Sequence, residues 1–408
     1  MAGEYQGILS GITVIEYGNL ISAPFCGKLL ADFGAEVIKV EPPDGGDASR
    51  LYGPFFEDLP DSENSGLFAY LNSNKLSVSL NIEDGKGREI FTELIATADC
   101  FIENLDQEII SRLGLTYPSL RALNKDLIVT SVSMFGRTGP YKDYAGHHIN
   151  CCALSGAAHA LGFPDREPIS VPLSHYDYQA GLSAAAATIM ALIARRNIGE
   201  GQHIDIAETD VAVNNVGVVS IIYEDFLGIT LKREGSRAPG SLGVYPCATF
   251  RCKDGYVTAT SRNRKEWLRF IDAMGHPDWA NDPRYQDPIA IRDYPEEVDR
   301  YLEPWLMQHT KEEVLELAQE YRIAITPIRT IDEVMHEPHF VERKSFVAVE
   351  LENGKETQIP AVPYRFSTTP CRQPGNAPKL GEHNEEIYGQ RLAHMNNDLA
   401  TLKRTKVI

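Results

Sequence analysis

In the stretch SHYDYQAGLSAAAATIMALIARR (174–196), a single carboxylate, Asp177, stands ahead of a long uncharged and mostly apolar run. Ser174, three positions earlier, gives the spacing of a capping box, in which an acid reaches back to free amides at a helix start. The same placement suits chemistry. A helix N-terminus keeps a carboxylate ionised, and apolar surroundings keep water away, which makes the group a competent nucleophile or base. Spacing alone leaves both readings open, with the cap the commoner one.

Other chemistry-bearing residues are scattered. His147 and His148 in AGHHIN follow a Gly/Pro-rich loop, FGRTGPYKDYAG (135–146), and such pairs are more often structural than catalytic. Lys75 in LNSNK and Arg112 in ISRLG are isolated cations of the kind usually found on solvated surfaces. GEGQ (199–202) and PDGGD (43–47) read as turns, because neither follows a strand and opens a helix as a phosphate-binding fingerprint must. No HExxH, GxSxG or EF-hand pattern occurs, and no metal site is expected.

The elements that must position these groups follow from periodicity. ITVIEYG (12–18) reads as a buried strand, residues 22–35 as a helix with Pro24 in its first turn, and EVIKVEP (36–42) as a second strand. A strand at 75–82, a helix at 83–98, a strand at 99–104, two short helices and a strand at 127–135 continue the pattern. The expected fold is α/β, a doubly wound parallel sheet with ligands bound beyond the carboxyl ends of its strands. A helix from 174, a glycine turn and another strand near 203 follow. A hairpin over 243–261 opens a smaller α+β domain, and short strands over 346–367 precede a polar helical tail. The expected division is 1–210 as the larger domain, 211–235 as linker, 236–335 as the smaller domain, 336–352 as linker and 353–408 returning to the larger.

With 408 residues, 43% of them hydrophobic, the chain has material for a large core. A formal net charge of −18 disfavours nucleic acid and acidic membrane surfaces, so an anionic ligand needs a local cationic pocket. Seven cysteines without CxxC spacing suggest neither a disulfide framework nor a zinc site, and a cytoplasmic location is expected. The start of the chain has no secretory pattern, and the apolar run at 184–194 is too short to cross a bilayer.

The run LSGITVIEYGNLISAPFCGKLLADFGAEVIKVEPPDGGDASR (9–50) resembles the opening of the class III CoA-transferases, the formyl-CoA and carnitine-CoA transferase family. LNSNK (71–75), IENLDQEIISRLGLTYPSLRALNKDLIVTSVSMFGRTGPY (102–141), ALSGAAHALG (153–162), DYQAGLSAAAATIMALIARRNIGEGQHIDIAETD (177–210), CKDGYV (252–257) and LGEHNEEI (380–387) agree in order. The resemblance implies that Asp177 is the nucleophile, passing through aspartyl anhydride and aspartyl-CoA intermediates. It implies coenzyme A thioester as substrate rather than as a permanently bound cofactor, a carboxylic acid as second substrate, and an interlocked homodimer. Residues implied to contact CoA are Ser22, Leu71, Asn72, Ser73, Asn74, Lys75, Asn104, Leu105, Arg112 and Met134, with Lys75 and Arg112 on the phosphates. The small residues after Asp177 are expected to admit the bulky thioester.

The chain departs from the family pattern in places. ENLDQE adds Asp106 and Glu108, Pro42 stands where some members carry arginine, and Met134 where glycine is usual. GSRAPGSLGVYP (235–246) matches the position of a mobile glycine-rich lid. AGHHIN also resembles the α-methylacyl-CoA racemases, and this implies an alternative in which His147 and Asp177 move an α-proton. A further alternative is a CoA-binding subunit of a heteromeric transferase. In the transferase reading His147 orients the acceptor or an anhydride oxygen, and family habit points to a succinyl-CoA donor with an aromatic or aliphatic acid as acceptor.

Overall fold

Six parallel strands form the sheet that the alternating pattern implied. The computed structural model describes residues 7–237, 244–350 and 356–408. In chain order the larger unit contains β1 (Thr13–Tyr17), α1 (Ser22–Asp32), β2 (Glu36–Glu41), α2 (Gly66–Asn72), β3 (Leu76–Ser79), α3 (Gly85–Thr97), β4 (Cys100–Glu103), α4 (Gln107–Leu113), α5 (Tyr117–Leu123), β5 (Ile128–Ser133) and α6 (His148–Leu154). After α7 (Ala157–Ala160) come α8 (His175–Ile198), β6 (His203–Ala207) and α9 (Glu208–Leu227). The strand order is β3-β2-β1-β4-β5-β6, a doubly wound arrangement whose order reverses beside β1.

Alternation along the strands explains the two helical layers. Ile15, Ile38, Val40, Phe101 and Val129 pack on one face with Ile90, Phe91 and Leu94 of α3. Their neighbours Val14, Val37, Cys100, Ile102 and Val132 pack on the other face with α1 and α8. Burial on both faces is what near-continuous apolar strands require.

The chain divides into two compact units. The larger comprises the residues up to Ser155, Val171–Asn214 and Pro338–Ile408, and the second comprises Gly156–Ser170 and Asn215–Glu337. The second unit therefore takes α7, which lies inside the range expected for the first domain. The 211–235 stretch expected as linker is helical as far as Leu227.

In the second unit β7 (Cys247–Cys252), β8 (Gly255–Thr260) and a later β9 (Ala324–Pro327) form an antiparallel sheet packed with helices around the buried Trp267. In the larger unit, β10 (Phe346–Glu350) and β11 (Glu356–Pro360) pair antiparallel, and the C-terminal tail packs Ile387, Tyr388 and Leu399 onto the α3 face. All seven cysteines are unpaired. Residues 238–243, the centre of the expected lid, lie outside the described residues.

Candidate active site

Asp177 sits in the first turn of α8, and this helix start is not built as the sequence implied. Ser174 takes a left-handed backbone (φ 51°) and its side chain caps nothing. The cap comes instead from the histidine pair. His148 Nδ1 accepts the Tyr176 N–H at 3.4 Å, which leaves Nε2 as the donor to the Val171 carbonyl at 2.7 Å. The expected capping box is thus replaced by an imidazole from the start of α6. Leu173 (φ 61°) and Leu20 (φ 59°) are also left-handed, so three non-glycine residues with costly backbone surround the carboxylate.

The loop that faces Asp177 from β1 is fixed by side chains. Asn104, just after β4, accepts the Asn19 N–H at 2.8 Å and donates to the Asn19 carbonyl at 2.8 Å and to Ser22 Oγ at 3.2 Å. Leu20 N–H donates to Asp47 Oδ1 at 3.0 Å. Asp47 is itself held by Lys39, whose ammonium also binds Glu16 at 2.8 Å inside a fully buried ion network. Lys75 lies in the same network. Lys75 is 4% exposed and gives its ammonium to Glu16 at 2.7 Å, the Pro24 carbonyl at 2.8 Å and Asn72 at 2.9 Å, which uses all three of its donors. Burial pulls its ammonium down to about 8 despite Glu16. It is part of the foundation under the β1 loop and has no donor left for a phosphate.

Leu71, Asn72 and Ser73 are likewise fully buried. Asn74 donates to Asp32 at 2.9 Å and to the Gln373 carbonyl at 3.2 Å, in a separate depression lined also by Arg372 and Lys379. Arg112 is exposed and pairs with Glu83 at 2.7 Å. The structure does not bring these residues to Asp177.

It does bring together Ser22, Asn104, Leu105, Met134, His147 and Asp177. They line one polar cavity of about 300 Å³ at the carboxyl ends of β1, β4 and β5. That cavity also holds Ser133, whose hydroxyl has no hydrogen-bond partner among the described residues, together with Arg137 and the exposed Lys142. Arg137 is committed to Glu103 at 2.7 Å. A second cavity, of about 960 Å³, shares Leu20, Ile21, His147, His148 and Asp177 with the first. Its walls are chiefly apolar and aromatic, including Tyr52, Phe55, Phe56, Tyr70 and Tyr178, with no lysine or arginine among the described lining residues. Asp177 therefore stands where a polar and an apolar lobe meet.

Four of the small residues after Asp177, Ala180, Gly181, Ala184 and Ala185, are buried in helix packing. A Cβ on Gly181 would lie 2.6 Å from the Ser22 carbonyl oxygen, and Ala180, Ala184 and Ala185 are buried in the layer shared with α1. Their size lets α8 approach α1.

One functional candidate was absent from the sequence reading. Glu208, the first residue of α9, is 6% exposed and lines the polar cavity together with Asp177 and Ser22. Burial, and then the charge of Asp177, push its carboxyl up to about 8. In sequence it is one more acid at a strand-to-helix junction, AETD, and nothing in its spacing marks it. No group of three or more metal-ligating side chains occurs among the described residues, and no described helix is long and apolar enough to cross a membrane.

Comparison with known proteins gives this site its context. The succinyl-CoA–D-citramalate CoA-transferase of Chloroflexus aurantiacus is 33% identical over 401 residues, covering 98% of each chain. The succinyl-CoA–L-malate CoA-transferase alpha subunit of the same organism is 32% identical over 415 residues, covering 100% of this chain and 94% of that one. A crystal structure of a CAIB/BAIF family protein from Brucella suis superposes with a TM-score of 0.82 at 31% identity, covering 94% of this chain and 100% of that one. The profile of CoA-transferase family III matches residues 9–384, and the chain belongs to that family.

Proposed function

We propose that the protein transfers coenzyme A from an acyl-CoA, with succinyl-CoA as the donor, to an aromatic or aliphatic carboxylic acid, with Asp177 as the nucleophile. The observation that carries this reading is the position of Asp177, on a helix start and at the junction of a polar and an apolar lobe. The Asp177 carboxylate attacks the thioester carbonyl, the C–S bond breaks, and CoA leaves as thiolate from a mixed anhydride. The thiolate then attacks the Asp177 carbonyl, releasing the donor acid and forming an aspartyl-CoA thioester. The acceptor carboxylate repeats the two steps in reverse order, so the acyl activation is kept.

The polar lobe suits the CoA end of the substrate: Lys142 supplies an exposed ammonium, and Ser133 and Asn104 supply polar groups. The apolar lobe supports the choice of acceptor, because the five aromatic rings among its described lining residues suit an aryl or alkyl chain. The donor is taken from the Chloroflexus relatives, which are named for succinyl-CoA. Homodimeric assembly is the simplest arrangement, and a heteromer has a parallel in the relative named as an alpha subunit.

The test combines trapping with an acceptor panel. Incubation with acyl-CoA followed by hydroxylamine or borohydride, then peptide mass spectrometry, is expected to find the adduct on Asp177. D177N is expected to lose activity by at least about 10³-fold while still folding. Phenyl-substituted and medium-chain acids should outperform malate and glutarate as acceptors. An unmodified Asp177 together with exchange of the α-proton into deuterated water would identify the racemase reaction with His147 instead.

A further inference from the structure

Two acids meet at the nucleophile. Asp177 and Glu208 line the same polar cavity, with Glu208 only 6% exposed, and two ionised carboxylates set side by side there would repel steeply, which favours a shared proton. Glu208 is the more buried of the two, and burial first and Asp177 second lift its carboxyl to about 8, so the proton of the pair is assigned to Glu208.

We propose that Glu208 is a second catalytic acid of this site: it holds one oxygen of Asp177 by a donated hydrogen bond, leaves the other free to attack, and then stabilises the oxyanion formed at the acylated Asp177. The proposal rests on Asp177 being the nucleophile. In the first step the free oxygen forms the anhydride bond and the held oxygen becomes the anhydride's carbonyl oxygen on the Asp177 side. When CoA thiolate attacks that carbonyl carbon, negative charge develops on the oxygen to which Glu208 already donates. The donor acid departs as carboxylate, the thioester forms, and Glu208 keeps its proton throughout. A neutral Glu208 also leaves the acid pair with one negative charge instead of two when an anionic acyl-CoA or carboxylate arrives.

The surroundings leave this proton in place. The titratable and charged groups that share the cavity with the pair are Asp106, Arg137, Lys142, Tyr144, His147 and His148, with the Cys151 thiol against the Glu208 carbonyl and Tyr178 beside Asp177. Arg137 is taken by Glu103, and its N–H by Asp205 at 2.9 Å. His148 is taken by Tyr176 and Val171. Cys151 donates its thiol to the Glu208 carbonyl at 3.3 Å, and burial with the two acids pushes that thiol up to about 12, so it stays neutral. The influences acting on Glu208 are burial, Asp177 and Ser22, without a cation.

The experiment follows kcat from about pH 6 to about 9.5 for the wild type, E208Q and E208A, with trapping of the Asp177 adduct alongside. Wild-type kcat should fall through a single ionisation near pH 8, and E208Q, whose amide donates without titrating, should lack that fall. E208A should lose about 10²-fold in kcat at pH 7 with less than about a threefold change in KM for acyl-CoA, as expected for a donor that acts on developing charge. E208Q resembles the acid in size and keeps the test valid if E208A does not fold. A fall near pH 8 that persists in E208Q overturns the proposal, as does an E208A variant with wild-type kcat. Absence of an adduct on wild-type Asp177 would overturn the underlying nucleophile reading itself, whereas an adduct with an unaltered E208Q profile would overturn only the role of Glu208.

Discussion

At the scale of residues, the site is made by groups whose roles depend on neighbours far away in sequence. Asp177 could be singled out from its helix-start position, and the family resemblance raised it above a cap. Ser22, Asn104, Leu105, Met134 and His147 share its cavity. The partner of Lys75 could not be read from its own segment, because Glu16 sits 59 positions away on β1. Glu208 was invisible for the same reason, since only folding sets it against Asp177. Its buried proton has a consequence for stability. The folded-state carboxyl at about 8 lies above the ordinary 4.5, so the native state binds more protons between those values, and its contribution to stability is full below about pH 4.5 and is lost as pH rises through about 8. Urea unfolding at pH 5.5 and pH 8.5 should show a smaller loss of stability in E208Q than in the wild type. An equal loss in both would assign the dependence to other groups.

At the scale of elements, the strands and first helices were legible because both sheet faces are buried and the apolar runs are correspondingly plain. The segment after β6 was not. Its Val-rich and Asn-containing sequence, VAVNNVGVVS, has low helix propensity, yet it lies in the helix α9. Of the small residues of α8, Ala180, Gly181, Ala184 and Ala185 serve packing. Gly181 lets α8 approach the carbonyl of Ser22, at the very residue that also contacts Glu208. G181A should therefore cost about 1–3 kcal/mol in urea unfolding, from overpacking against backbone that has little room to yield. A cost below about 0.5 kcal/mol would show that α1 and α8 can separate without penalty.

At the scale of the whole molecule, a chain of net charge −18 that handles anionic thioesters must confine its attraction to one place. The doubly wound sheet provides it, gathering loops from β1, β4 and β5 at their carboxyl ends around Asp177. The fold and family membership were readable from ordered motifs along nearly the entire chain, whereas the position of α7 in the second unit required contacts that no local pattern announces. The central claim is that Asp177 carries CoA from the donor acyl group to the acceptor acid, giving one oxygen to the first and taking one from the second. Its most direct test is a single turnover of acyl-CoA with an acceptor acid labelled with ¹⁸O in both carboxylate oxygens, in unlabelled water, followed by mass spectrometry of the peptide containing Asp177. The anhydride route leaves one acceptor oxygen on the Asp177 carboxylate, so that peptide should gain a single ¹⁸O. Product formation with Asp177 unlabelled, or with the label on another residue, would contradict the account.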